Sequence, residues 1–126
     1  MAENEGSIVL YIDDDAANRH LMARLFTRKL PDHQLTLAAT GEEGLQQAES
    51  DDIAVVLLDL TLPDMSGEEV LQTLKARHEL PVVILSGHDD PATRRRLTEE
   101  GADAYITKPF DANELFRVIG SLLGES

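Results

Sequence analysis

Carboxylates, a hydroxyl and an ammonium stand where short apolar runs of the sequence end: Asp13, Asp14, Asp59, Ser86 and Lys108. Carboxylates that converge on one pocket repel one another strongly unless a cation neutralises them. Hard oxygen ligands with open positions suit Mg²⁺, which prefers one or two carboxylates together with waters and phosphate oxygens. Soft or imidazole-bound metals fit less well, because the chain has no Cys and no pair of His at ligand spacing. We therefore predict a Mg²⁺ site at the three aspartates.

A structural explanation competes for the aspartates that follow the first apolar run. Aspartate is a favoured residue at the position that caps the start of a helix. Capping needs one aspartate, whereas the sequence has three in succession. We assign Asp15 to the helix cap and keep Asp13 and Asp14 as metal ligands.

Lys108 and Ser86 carry groups that complement the carboxylates. An ammonium at Lys108 would balance the negative charge and contact a phosphoryl oxygen, although a surface lysine is ordinarily only a solvated charge. Pro109 follows it and permits a cis peptide that would aim the lysine side chain inward. The Ser86 hydroxyl suits donation to a phosphoryl oxygen, whereas Ser-Gly in isolation is typical of a turn.

The elements that must position these residues alternate regularly along the chain. Apolar runs rich in β-branched residues predict strands at 8–12, 35–38, 54–58, 81–85 and 104–107. Helical periodicity lies between them, and start and stop signals flank it: Thr40-Gly-Glu-Glu43, Ser66-Gly-Glu-Glu69, Asp90-Pro91, Asp111-Ala-Asn-Glu114 and Gly101. Alternating strands and helices predict an α/β domain with a doubly wound, five-stranded parallel sheet. Ligands of such sheets bind beyond the carboxyl ends of the strands, where the candidate residues lie.

Composition limits the classes of function. A length of 126 residues fits one domain, and we predict a polar N-terminal tail at 1–6 and a domain at 7–124. The net charge of −13 opposes direct nucleic acid binding. The sequence contains neither a run of apolar residues long enough for a membrane segment nor the pattern of a signal peptide. With no Cys in addition, we expect a cytoplasmic location.

Four motifs together resemble a known family. They are Tyr11-Ile-Asp-Asp-Asp with Arg19, Leu57-Leu-Asp-Leu-Thr-Leu-Pro-Asp-Met-Ser-Gly67, Ile84-Leu-Ser-Gly87 and Gly101-Ala-Asp-Ala-Tyr-Ile-Thr-Lys-Pro-Phe110. In this order and at these separations they are similar to the CheY-like receiver domains of response regulators in two-component phosphorelay signal transduction. The resemblance spans residues 8–123 and implies a flavodoxin-like (βα)5 fold with strand order 2-1-3-4-5.

The resemblance implies a role for each motif residue. Asp59 would be the phosphoacceptor of a phosphoprotein, taking the group from the phosphohistidine of a histidine kinase or histidine phosphotransfer protein. Asp14 and Asp59 would bind Mg²⁺ directly, Asp13 largely through water, and the Thr61 backbone carbonyl would complete the protein ligands. Lys108 would pair with the phosphoryl group. Ser86 and Tyr105 would be the switch residues that change the surface of residues 86–110 for a downstream effector domain or protein.

Two departures from the family pattern bear on switching and assembly. The switch hydroxyl is more often Thr and the next residue more often Ala, where this chain has Ser86 and Gly87. Ser lacks the β-branch that restricts a Thr rotamer, and Gly adds backbone freedom.

His88 lies near the expected mouth of the site, where similar positions tune phosphate lifetime. The last helix has Arg117 as its one basic residue, which weighs against dimerisation through that face as in DNA-binding regulators.

The resemblance implies a phosphoacceptor rather than an enzyme acting on other substrates, one that assists its own phosphorylation and autodephosphorylation. It fits a stand-alone regulator and equally the receiver part of a longer regulator or hybrid kinase. Alternatives are a phosphorylation-independent pseudo-receiver that only binds partners, and an aspartyl-phosphate phosphatase of the haloacid dehalogenase type. A flavodoxin-like cofactor binder fits poorly, because no phosphate-binding glycine-rich loop follows the first strand.

Overall fold

The computed structural model describes residues 7–87 and 90–124. The predicted tail at 1–6 and His88 lie outside the described residues. Five strands and five helices alternate along the chain: β1 (Ile8–Ile12), α1 (Ala16–Lys29), β2 (Gln34–Ala38), α2 (Gly41–Gln47), β3 (Ile53–Asp59), α3 (Gly67–Arg77), β4 (Val82–Ser86), α4 (Pro91–Glu99), β5 (Ala104–Thr107) and α5 (Ala112–Leu122).

The five strands form one parallel sheet in the order β2-β1-β3-β4-β5. This confirms the predicted doubly wound, flavodoxin-like α/β fold. The ends of two strands differ from the prediction, because Asp59 pairs with Leu85 and Ser86 pairs with Thr107 inside the sheet. Both residues are therefore part of the strands that present them, which holds them more firmly than a loop would.

Each face of the sheet packs against helices through its own layer of apolar side chains. Alternate residues of a strand point to opposite faces, so Leu10 and Ile12 enter one layer while Val9 and Tyr11 enter the other. These four side chains of β1 are at most 1% exposed. The burial of this interior strand on both faces agrees with its near-continuous apolar sequence.

Side chains cap the helices where the sequence predicted helix starts. The Asp15 carboxylate accepts from the backbone N–H groups of the first turn of α1, and Thr40, Ser66, Asp90 and Asp111 do the same for the later helices. One predicted capping box is altered, since the Glu43 side chain accepts from the N–H of Ala39 rather than from that of Thr40. Gly101, with φ of +113°, follows α4 in a backbone conformation that favours glycine.

Candidate functional site

The carboxyl ends of four strands bring the predicted site residues to one edge of the sheet. Asp13 follows β1, Asp59 ends β3, Ser86 ends β4 and Lys108 follows β5. Asp13 is 0% exposed, Ser86 1% and Asp59 7%. Strongly polar side chains at such burial need partners, and the contacts among them define the site.

Lys108 lies between the two buried carboxylates. Its Nζ is 3.3 Å from Asp59 Oδ2 and 3.4 Å from Asp13 Oδ2. The backbone N–H of Lys108 donates to the Ser86 carbonyl at 2.7 Å, which ties the β5–α5 connection to the end of β4. The Lys108–Pro109 peptide is cis, as the sequence prediction allowed.

Three carboxylates face a common volume beside this lysine. Asp13, Asp14 and Asp59 each offer an oxygen, and these oxygens lie within 4.8 Å of one another. Asp14 is exposed while the other two are buried. One ammonium offsets three negative charges only in part, so the donor set fits a hard divalent cation with open positions for water and a further oxygen ligand.

The electrostatics of Asp59 support the same conclusion. Burial, together with the neighbouring negative charge of Asp13, raises the pKa of Asp59 above its ordinary value. The N–H of Thr61 donates to Asp59 Oδ1 at 3.1 Å and, with Lys108, opposes that shift. A raised pKa shows that the charged form lacks stabilisation here, which a bound cation would supply.

Asp13 has the opposite balance. Its burial acts to raise its pKa, but hydrogen bonds from Tyr11, the Asp15 N–H and Asn18, together with the charge of Lys108, lower the pKa overall. The Tyr11 hydroxyl and Asn18 Nδ2 both donate to Asp13 Oδ2, the latter at 3.2 Å. Asp13 is thus an anion held in place before any metal binds.

Sequence reasoning missed Tyr11 and Asn18 as partners of the site. A signal for Tyr11 existed, because residues two apart on a strand share a face and Tyr11 precedes Asp13 by two. Asn18 lies in the first turn of α1, where its side chain direction depends on how the helix packs against the sheet.

The predicted switch residues lie on the two strands at one end of the sheet. Ser86 is buried at the end of β4, while Tyr105 is half-buried in β5, opposite Ile84 in the register. The guanidinium of Arg94, on α4, lies 4.9 Å from the centre of the Tyr105 ring, within the range of a cation–π contact. The sequence analysis coupled Tyr105 to Ser86 and did not predict this contact with Arg94.

The loop after Asp59 is fixed to two neighbouring elements. The Gly67 N–H donates to the Leu60 carbonyl at 3.1 Å, and the Asp64 carboxylate accepts from the N–H groups of Gly41 and Glu42 at the start of α2. Thr61 lies in this loop and is exposed. Its backbone carbonyl as a metal ligand stays a prediction.

Comparisons with known proteins agree with this geometry. Residues 9–120 match the model of the response regulator receiver domain. The chain is 37% identical over 119 residues to the cell cycle transcriptional regulator CtrA of Caulobacter vibrioides, covering 94% of this chain and 51% of that protein. It is 39% identical over 121 residues to the cell cycle response regulator CtrA of Brucella ovis, covering 94% and 50%. The chain spans about half the length of these curated relatives.

A solved structure matches over nearly the whole of both chains. The CheY-like response regulator receiver domain protein of Methanospirillum hungatei superposes with a TM-score of 0.85 at 29% identity and covers 94% of each chain. Within residues 7–87 and 90–124, no helix has the length and apolar character needed to cross a bilayer.

Proposed function

This chain belongs to the response regulator receiver domain family of two-component signalling, and from that premise we propose that Asp59 is its phosphoacceptor. One observation carries the proposal: the buried Asp59 carboxylate lies 3.3 Å from Lys108 Nζ, and oxygens of two further aspartates lie within 4.8 Å of it at the carboxyl edge of the sheet. Phosphoryl transfer requires mainly positioning and neutralisation of charge. The site combines a fixed carboxylate with groups that neutralise the oxygens of an incoming phosphoryl group.

The proposed transfer forms a bond between an Asp59 carboxylate oxygen and phosphorus while the bond from phosphorus to a histidine nitrogen of the donor breaks. Mg²⁺, held by Asp13, Asp14, Asp59 and the Thr61 carbonyl, would neutralise the phosphoryl oxygens when bound. Thr61 N–H and Lys108 fix the two oxygens of Asp59 beforehand, on Oδ1 and Oδ2 respectively. This orientation reduces the entropy that the transfer must lose.

The acyl phosphate product explains how the signal would leave the site. It carries a charge of about −1.5 to −2 and three acceptor oxygens. Lys108, which contacts Asp59, and the Ser86 hydroxyl at the end of the neighbouring strand would both turn toward those oxygens. Tyr105, in the register position next to Ile84, would follow and change the 86–110 surface, as a shift between two packings of one fold.

Partners follow from the same chemistry. A histidine kinase or histidine phosphotransfer protein would supply the phosphoryl group, and an effector domain or protein would recognise the altered surface. The relatives named above are regulators about twice as long as this chain. We propose that residues 7–124 form the receiver domain of such signalling, acting in the cytoplasm without contacting nucleic acid itself.

Labelling with acetyl phosphate in the presence of Mg²⁺ tests the phosphoacceptor directly. We expect the wild-type chain to gain one phosphoryl group that is stable to acid and labile to base, and Asp59→Asn to gain none. Asp52→Asn is the matched control, since Asp52 is an exposed acid just before the opposite end of β3. Stoichiometric label on Asp59→Asn would overturn the assignment, and a wild-type chain that takes up no label would favour a pseudo-receiver that only binds partners.

A further inference from the structure

Tyr11 presents its hydroxyl to the acidic site from beneath, within β1. Its side chain is 1% exposed, on the face of β1 that packs against α1 and α5, and its hydroxyl donates to Asp13 Oδ2. A tyrosine hydroxyl carries one proton, and here that proton is directed at the carboxylate.

Asp13 Oδ2 has more donors than lone pairs. Tyr11, Asn18 and Lys108 all donate to this one oxygen, whereas a carboxylate oxygen offers about two lone-pair positions. The other oxygen, Oδ1, accepts from the Asp15 N–H at 2.9 Å. A hydrated cation bound through Asp13 must present water hydrogens to these same oxygens, and so competes with the donors already there.

We propose that Tyr11 is a positioning residue that lowers the affinity of the acidic site for a divalent cation, through its hydrogen bond to Asp13. This rests on the proposed function, which assigns the metal to Asp13, Asp14 and Asp59. A hydrogen bond to an ionised acceptor is stronger than one between neutral groups. The bond from Tyr11 therefore reduces the negative charge density on Asp13 Oδ2 that is available to metal-bound water. Asp14, which is exposed, remains more accessible than Asp13 for direct contact with the metal.

Removal of the hydroxyl alone isolates this effect. Tyr11→Phe keeps the buried ring and its packing in the core, while Asp13 remains fixed by the Asp15 N–H, Asn18 and Lys108. The change therefore leaves the orientation of Asp13 intact and reduces the donors to Oδ2 from three to two. A metal-bound water then meets less competition for this oxygen, which strengthens its interaction with Asp13.

A Mg²⁺ titration followed by amide chemical shifts of the whole chain tests the proposal. We expect Tyr11→Phe to bind Mg²⁺ about threefold to tenfold more tightly than the wild type. Thr27→Val is the matched control, because it removes a hydroxyl that donates to the Ala23 carbonyl on the exposed side of α1, and its affinity should equal that of the wild type. Equal or weaker affinity in Tyr11→Phe would overturn the proposal.

A double-mutant cycle with Asp13 separates a direct interaction from a general structural change. In an Asp13→Asn background, Tyr11→Phe should leave the Mg²⁺ affinity unchanged, since the carboxylate that transmits the effect is gone. A gain in affinity of the same size in that background would overturn the role of Asp13. A wild-type chain that binds no Mg²⁺ would overturn the metal site itself, whereas wild-type binding without a gain in Tyr11→Phe would overturn this inference alone.

Discussion

Two buried aspartates only a few ångströms apart differ in how well their charges are stabilised. Asp13 accepts hydrogen bonds at both oxygens, from Tyr11, Asn18 and the Asp15 N–H. Asp59 accepts from the Thr61 N–H and from the lysine that it shares with Asp13. Burial is therefore outweighed at Asp13, where the pKa is lowered, and not at Asp59, where it is raised. Asp59, the proposed phosphoacceptor, is thus the carboxylate left with charge still to be neutralised.

Opposite pKa shifts predict opposite effects of neutralising the two residues. At neutral pH without divalent metal, we expect Asp59→Asn to raise the free energy of unfolding by about 1 kcal/mol and Asp13→Asn to lower it by at least as much. Asn at 59 removes a poorly stabilised charge, whereas Asn at 13 removes a well-paired one. Urea unfolding of the two variants and the wild type provides the measurement.

The pH dependence of these differences follows from the same shifts. Because the folded-state pKa of Asp59 is raised, the folded chain binds that proton more tightly, and its stability falls as pH rises through the raised pKa. The advantage of Asp59→Asn should therefore shrink as pH is lowered. The folded-state pKa of Asp13 is depressed, so its contribution is present above the unfolded pKa and is lost as pH falls. Parallel pH profiles for the two variants would contradict these assignments.

At the scale of elements, the loop between β3 and α3 is held by a close approach between the backbones of Gly67 and Leu60. A Cβ built on Gly67 would lie 2.6 Å from the Leu60 Cα and 2.9 Å from the Leu60 carbonyl oxygen, both backbone atoms that cannot turn aside. Gly67 also donates its N–H to that carbonyl. The loop that follows β3 and Asp59 is thus closed by a glycine at the first residue of α3.

Gly67→Ala should accordingly destabilise the chain, by about 1–3 kcal/mol, because the loop must move away from Leu60. The companion variant is Gly87→Ala, where a Cβ would meet nothing within 4 Å, so its thermal midpoint should stay near that of the wild type. Thermal unfolding followed by circular dichroism compares the two. Equal midpoints for both variants would show that the loop accommodates a side chain at 67.

At the scale of the whole molecule, Lys108 connects the candidate metal site and the proposed phosphoacceptor to the surface of residues 86–110. Its side chain contacts Asp13 and Asp59, its backbone N–H donates to the Ser86 carbonyl, and the strand that precedes it carries Tyr105. Movement of this lysine toward a phosphoryl group would shift the end of β5 together with the side chain. Because the chain has a net charge of −13, the positive charge of Lys108 has a large effect on the electrostatic potential at the site.

Lys108→Ala should separate binding from signalling. We expect this variant to bind Mg²⁺ at least as well as the wild type, since a competing cation is removed. We also expect it to lose the changes in amide chemical shift at residues 90–110 that follow acetyl phosphate treatment of the wild type. Lys29→Ala makes the same change in net charge at an exposed residue of α1 and should retain those changes. Amide chemical shifts measure both, and a full surface response in Lys108→Ala would contradict the coupling.

The sequence alone determined the fold and the strand-end positions of the candidate residues. Apolar runs, cap residues and strict alternation predict the order of elements, and a parallel sheet then requires Asp13, Asp59, Ser86 and Lys108 to meet at one edge. Only the tertiary structure decided the partners of these side chains. The bond from Tyr11 to Asp13 and the contact of Arg94 with Tyr105 depend on rotamers and on how helices pack across the sheet. Periodicity specifies which face a residue takes, but long-range packing sets the distances within which hydrogen bonds and charges act.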